Sequence, residues 1–179
     1  MERATAEGLV RAWLEQYVVG LNLCPFARPL LTSPALRIAV TEHTEAVQLR
    51  RIFLMELDRL HGSGEEQIAT TLLVFSAALE DFDAYLAFLD EARELLQAAG
   101  LEGVVQLASF HPDYLFAGED PASASHYSNR SPRPIIHLLR EDMLERVLRN
   151  YPDPEGIPDR NIATLQAIGR EALERRWRG

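Results

Sequence analysis

Lysine is missing altogether: all 18 basic residues of the 179-residue chain are arginine. Without lysine there is no Schiff base to a carbonyl, which excludes pyridoxal-phosphate enzymes and Schiff-base lyases. A P-loop lysine is missing for the same reason, so a Walker-type nucleotidase is excluded too. Any cation-assisted chemistry falls to arginine, histidine or a metal ion. A GC-rich genome is sufficient cause for the bias.

Cysteine is nearly as scarce, with Cys24 alone. One thiol makes neither an internal disulfide nor a multi-cysteine metal site, and it suits a reducing cytoplasm. Positive charge is in deficit: the net charge is -9 and the pI near 5.0. That balance disfavours nucleic acid and anionic membranes as general partners. No apolar run approaches a membrane span, and Met1 to Gly8 has mixed charge without an apolar stretch, so no signal peptide is expected. G-x-G-x-x-G, G-x-S-x-G and H-E-x-x-H do not occur, which removes the usual support for dinucleotide binding, an elbow serine hydrolase and zincin chemistry. No cofactor is expected.

What is present reads as one α/β domain. Hydrophobic residues make up 47% of a chain long enough for a sizeable core. Val10, Trp13, Leu14, Tyr17, Val18 and Leu21 recur at helical spacing, ended by Gly20 and Pro25. Leu36 to Val40 reads as a strand. Thr44 then caps a helix to about Leu60 with Leu49, Phe53 and Leu57 on its face. Ile68 to Phe75 is continuously apolar or β-branched, as in a strand covered on both faces. Asp81 caps a third helix carrying Tyr85, Phe88, Leu89, Ala92 and Leu96 and closed by Gly100. Val104 to Phe110 is the third strand and Ile135 to Leu139 the fourth. Met143 to Leu148 is helical, three prolines break residues 151–158, and a last helix spans Asn161 to about Trp177. Strands separated by helices predict a small, mainly parallel sheet of about four strands, with helical N- and C-terminal segments. The direction of the fourth strand is left open.

Ligands of parallel sheets gather at the carboxyl ends of strands. Those ends are Thr41-Glu42-His43, Ser76 and His111, and the long loop from His111 to Pro134 starts there. His111 follows a strand, Pro112 keeps its backbone extended, and Asp113 is placed to orient it; alternatively the ring only pins the loop. His137 sits among Ile135, Ile136, Leu138 and Leu139, either facing His111, Asp113 or a ligand, or satisfied in the core. Asn129, Arg130 and Ser131, with Arg140, suit a carboxylate or phosphate, or else pair with surface acids; Arg133 between two prolines reads as plain surface. Cys24 follows the negative end of a helix and is flanked by Leu23, Pro25 and Phe26, which favours a buried thiol over a thiolate. His111, Asp113, His126 and His137 match no metal-site spacing, so no metal is expected.

Three blocks together resemble a known bacterial family. They are Val19-Gly20-Leu21-Asn22-Leu23-Cys24-Pro25-Phe26-Ala27, then Gln106 through Gly118, then Asn129-Arg130-Ser131-Pro132 with His137-Leu138-Leu139-Arg140-Glu141. The chain is similar in these to the domain-of-unknown-function 1415 family, from about residue 10 to 148, with residues 151–177 as a helical extension. The resemblance implies no activity. It does imply that Cys24, His111, Arg130, His137 and Arg140 lie in signature positions.

The resulting expectation is a cytoplasmic enzyme acting on a small anionic metabolite. His111 would be its acid or base, oriented by Asp113 or His137; Arg130 and Arg140 would hold the anion, and Cys24 would line the pocket. The rival expectation is a non-catalytic ligand-binding or assembly protein in which the same residues order the long loop. The oligomeric state does not follow from the sequence.

Overall fold

The computed structural model describes residues 3–178. The chain begins with α1 (Arg3–Trp13), which continues into a π-helical turn at Leu14–Val19. Then come α2 (Ala27–Leu31), β1 (Leu36–Thr41), α3 (Ala46–Gly62), β2 (Thr70–Phe75), α4 (Phe82–Ala98) and β3 (Val105–Phe110). The long loop contains a 3-10 turn at Ala124–Ser128, and β4 (Ile135–Arg140), α5 (Glu141–Arg149), α6 (Ile157–Ile168) and α7 (Arg170–Arg178) complete the chain.

The strands lie in the order β1-β2-β4-β3. β1 pairs with β2 in parallel, Leu36 opposite Thr70 and Thr41 opposite Phe75. β4 is antiparallel to both β2 and β3. The expected mainly parallel sheet is therefore a mixed one, with two of its three pairings antiparallel. The cause lies in the connection. β1, β2 and β3 are joined by helices and point the same way. The chain from β3 to β4 has no crossover helix, only the long loop, so it re-enters at the edge it left and must run back.

Side chains alternate across the strands, and each face of the sheet has its own core. Leu73, Phe75, Ile136 and Leu138 face α3 and α4, meeting Phe53, Leu57, Tyr85 and Leu89. Ile38, Leu72, Val74 and Ile135 face Val10, Trp13 and Tyr17 of the N-terminal segment and Leu165 and Leu173 of the last two helices. With both faces covered, every residue of β2 is buried, which is why its sequence reads as an unbroken apolar run.

Local chemistry fixes the ends. Asp81 caps α4 as expected, its Oδ1 accepting the Ala84 N–H at 2.8 Å. Thr44 does not cap α3; Glu45 stands at that position, with no side-chain bond. The opening helix ends at Gly20, where a Cβ would lie 2.2 Å from Gln16 O, so the π turn admits only glycine. The expected single last helix is two, broken at Gly169 with φ 79°.

Candidate functional site

At the carboxyl edge lie His111, Asp113 and the Asn129–Ser131 stretch, tied together through backbone groups. The His111 ring is fully buried against Phe82 and Tyr85 of α4, with centroids 5.1 and 5.0 Å away. Its Nε2–H donates to Leu79 O at 2.9 Å, and its Nδ1 accepts the Asp113 N–H at 3.0 Å. Both nitrogens are thus spent on backbone. Burial lowers its pKa from the usual histidine range, despite opposing contributions from Leu79 O and Asp113. Leu79 itself has φ 59°, a left-handed backbone unusual for a bulky side chain, and the imidazole holds its carbonyl. Asp113 is exposed and orients His111 through its amide, not its carboxylate.

His126 repeats this wiring. It accepts the Phe116 N–H on Nδ1 at 3.1 Å and meets Asp120 O with Nε2 at 2.9 Å. Asn129 donates to Ser109 O at 3.0 Å and accepts from the Ser128 hydroxyl at 2.8 Å. Ser131 is buried and donates to Arg133 O at 2.5 Å. The long loop is held by its own polar side chains.

The arginines separate from His111 and from each other. His111 and the Asn129–Ser131 stretch pair only through backbone, at 3.1 and 3.4 Å. The half-buried Arg130 guanidinium lies 4.4 Å above the Tyr127 ring, in the core on the other face of the sheet. Arg140 ends β4 at the opposite edge, paired with Val105, the first residue of β3. There Nε donates to Ile68 O at 3.0 Å and Nη2 to Leu60 O and Ser63 O at 2.7 Å each. It caps the C-terminus of α3 and has no reach toward an anion at the carboxyl edge. The expected single cluster of His111, Arg130, Arg140 and His137 is thereby corrected: the reversal of β4 carries Arg140 to the far edge, and strand alternation puts His137 and His111 on opposite faces.

His137 belongs to a different hollow, which the carboxyl-edge rule does not reach. Its cross-strand partners are Leu72 and Ala108. It lines a cleft of about 950 Å³ with Cys24, Thr70, Leu72 and Leu139, near the starts of β1 and β2. The walls come from α2 (Ala27, Leu30, Leu31) and α5 (Met143, Leu144, Val147), and Glu65, Glu66 and Arg146 also line it. Arg146 donates from Nη2 to both carboxylate oxygens of Glu65, at 2.5 and 2.7 Å. The volume suits a small molecule, and the lining is predominantly apolar with a few polar points.

Those points are defined. His137 Nε2 lies 2.6 Å from Thr70 Oγ1, and that hydroxyl donates to Leu138 O at 2.8 Å. With its one hydrogen on Leu138 O, the hydroxyl accepts from the imidazole, the arrangement in which Nε2 carries the ring proton. Burial pushes the His137 pKa down to about 4, so the ring is neutral at neutral pH. Cys24 stands just before α2, and burial pushes its thiol up, against a smaller opposing effect of the Phe26 and Ala27 amides. It is a protonated thiol on the cleft wall. Among the described residues no three of His, Cys, Asp and Glu gather as a metal ion requires.

Sequence reasoning missed Thr70, which carried a faint signal as a polar residue opening a buried strand. It also missed α2, five residues among three prolines, and the amphipathic α5 as a wall.

Fold and hollow together define an α/β protein with a four-stranded mixed sheet and one roomy apolar cleft beside its reversed strand. The chain belongs to the DUF1415 family, described as a protein of unknown function, whose model matches residues 5–175. The match takes in the C-terminal helices, which the three-block resemblance left as an extension. No curated protein and no solved structure matches the chain.

Proposed function

We propose that this protein binds a small, largely apolar molecule in the cleft between α2, α5 and the sheet. The observation that carries the reading is the convergence of two signature residues, Cys24 and His137, on that hollow of about 950 Å³. The polar residues of the long loop then serve architecture, as the ligand-binding alternative expected. Catalysis is not required by this reading. The same proposal places the protein in a bacterial cytoplasm, supported by its lone thiol and its family resemblance. No helix of the described residues is long and apolar enough to cross a membrane.

The test is thermal shift of the purified protein against neutral aromatics, carboxylates and phosphates. A ligand at a hundred times its Kd stabilises by about 2.7 kcal/mol, which is readily read. Neutral apolar compounds should raise Tm, and Val147→Trp, which puts a large ring into the cleft wall, should abolish the effect. A response confined to phosphates and carboxylates would overturn the reading.

Arg130 favours a second reading, the anion site first expected. Its guanidinium is half-buried over Tyr127 and has no ion pair among the described residues. Its Nε meets Tyr114 O only at 3.5 Å. Such a cation is available to a phosphate or carboxylate. Stabilisation by either, lost in Arg130→Met and kept in Val147→Trp, would establish it.

A further inference from the structure

We infer that the cleft selects neutral ligands that offer one hydrogen-bond donor to His137, an inference that rests on the cleft reading above. Three observations lead there. First, Thr70 Oγ1 has Leu138 O at 2.8 Å as an acceptor for its one hydrogen; with that bond made, it takes the proton of His137 Nε2 at 2.6 Å and sets the tautomer. Nδ1 is then a bare acceptor. Second, Nδ1 has no hydrogen-bond partner among the described residues, yet it is not among the sealed side-chain atoms that lack one, such as Trp13 Nε1 and Thr71 Oγ1. The side chain lines the cleft, so its free lone pair is open to what fills that space. Third, Leu72, Leu139, Leu30 and Val147, which line the same cleft, carry no hydrogen-bonding side chain.

The charge pattern excludes the alternatives. Among the described residues that line the cleft Arg146 is the one cation, and its Nη2 donates to both oxygens of Glu65. Burial keeps the imidazole uncharged at neutral pH and Cys24 a thiol. An anion would meet Glu65 and Glu66 beside a guanidinium already paired; a cation would have to lose its hydration inside an apolar hollow. A molecule with an apolar body and an N–H or O–H group satisfies Nδ1 at no such cost. An imidazole lone pair reads a donor and rejects an isosteric acceptor, because two lone pairs would face each other.

The experiment compares indole with benzofuran, which has the same shape with oxygen in place of N–H, and with benzofuran carboxylate. Binding to the full chain is followed by NMR at neutral pH. One hydrogen bond gives about a fivefold preference for indole over benzofuran. The imidazole ¹⁵N spectrum should show the Nε2–H tautomer, with the Nδ1 resonance moving only when indole is added. In His137→Phe the indole-to-benzofuran ratio should fall to about one. If that variant does not fold, Thr70→Val serves: it frees the tautomer, so the preference should shrink while benzofuran gains. Equal binding of indole and benzofuran to the wild type overturns this inference and leaves the cleft reading standing. Tightest binding by the carboxylate also overturns it. No binding by any of the three, or a concentration-dependent dimer that closes the cleft, removes both.

Discussion

The Thr70 hydroxyl bridges His137 Nε2, at 2.6 Å, and Leu138 O, at 2.8 Å, so a single side chain of β2 orders the polar floor of the cleft on β4. Thr70→Val keeps the shape and removes both bonds. It should cost about 1–3 kcal/mol, because the buried imidazole loses its partner and Leu138 O loses one of its donors. Denaturant unfolding measures the loss, and Thr70→Ser should recover most of it. Equal stability of Thr70→Val and wild type would show that the bridge contributes nothing.

Arg140 makes the complementary prediction at the sheet's other edge. Its three bonds to Ile68 O, Leu60 O and Ser63 O tie the end of α3 to β4. Arg140→Met should lower stability by about 2–3 kcal/mol and speed hydrogen exchange in the last turn of α3. Arg140→Lys should rescue little, since an ammonium group cannot reproduce the forked geometry. Ligand binding in the cleft should survive in the folded fraction. Loss of phosphate or carboxylate binding at constant stability would restore Arg140 as an anion ligand.

Gly20 tests the π turn that leads the chain toward Cys24. A methyl group there meets Gln16 O at 2.2 Å. Gly20→Ala should destabilise by about 1–3 kcal/mol, the range for forced overpacking, and should move the NMR signals of residues 14–24. An unchanged spectrum would contradict the backbone described.

The buried histidines predict an acid response. His137 is held down to about 4 and His111 is lowered in the same direction, both by burial. In the unfolded chain a histidine titrates near 6.5. Between these values the unfolded state binds protons that the folded state does not, so stability is full above about pH 6.5 and falls as pH drops toward 4. The slope should approach about 1.4 kcal/mol per pH unit for His137, with His111 adding to it in the same direction. Cys24, Glu65, Glu66 and Arg146 share the cleft with His137, and Asp81 and Asp113 act on His111. Stability curves of wild type and His137→Phe separate the ring from these groups: the variant should lose part of the slope. Superimposable slopes would mean that His137 protonates alike in both states.

Much of the fold was legible in the residues. The unbroken run of β2, the stripe of α4 and the Asp81 cap are local patterns, and the structure follows them. The direction of β4 was not legible, because it depends on which edge the long loop returns to. That one reversal moved Arg140 across the sheet and left the carboxyl-edge rule pointing at His111, whose two nitrogens are consumed by Leu79 and Asp113. His137 was correctly seen as needing a partner. The partner, Thr70, is 67 residues away in the chain and becomes a neighbour only through β2–β4 pairing. Cys24 was read from the helix before it, whereas its surroundings are set by α2 after it, a helix too short to show a period.

Methyl NMR of the full chain titrated with indole tests the cleft most directly. The account predicts shifts confined to the cleft's Leu30, Leu72, Leu139, Leu144 and Val147, saturating with indole and absent in Val147→Trp. Shifts centred instead on the residues around Tyr127 and Arg130, or none at saturating indole, would contradict it.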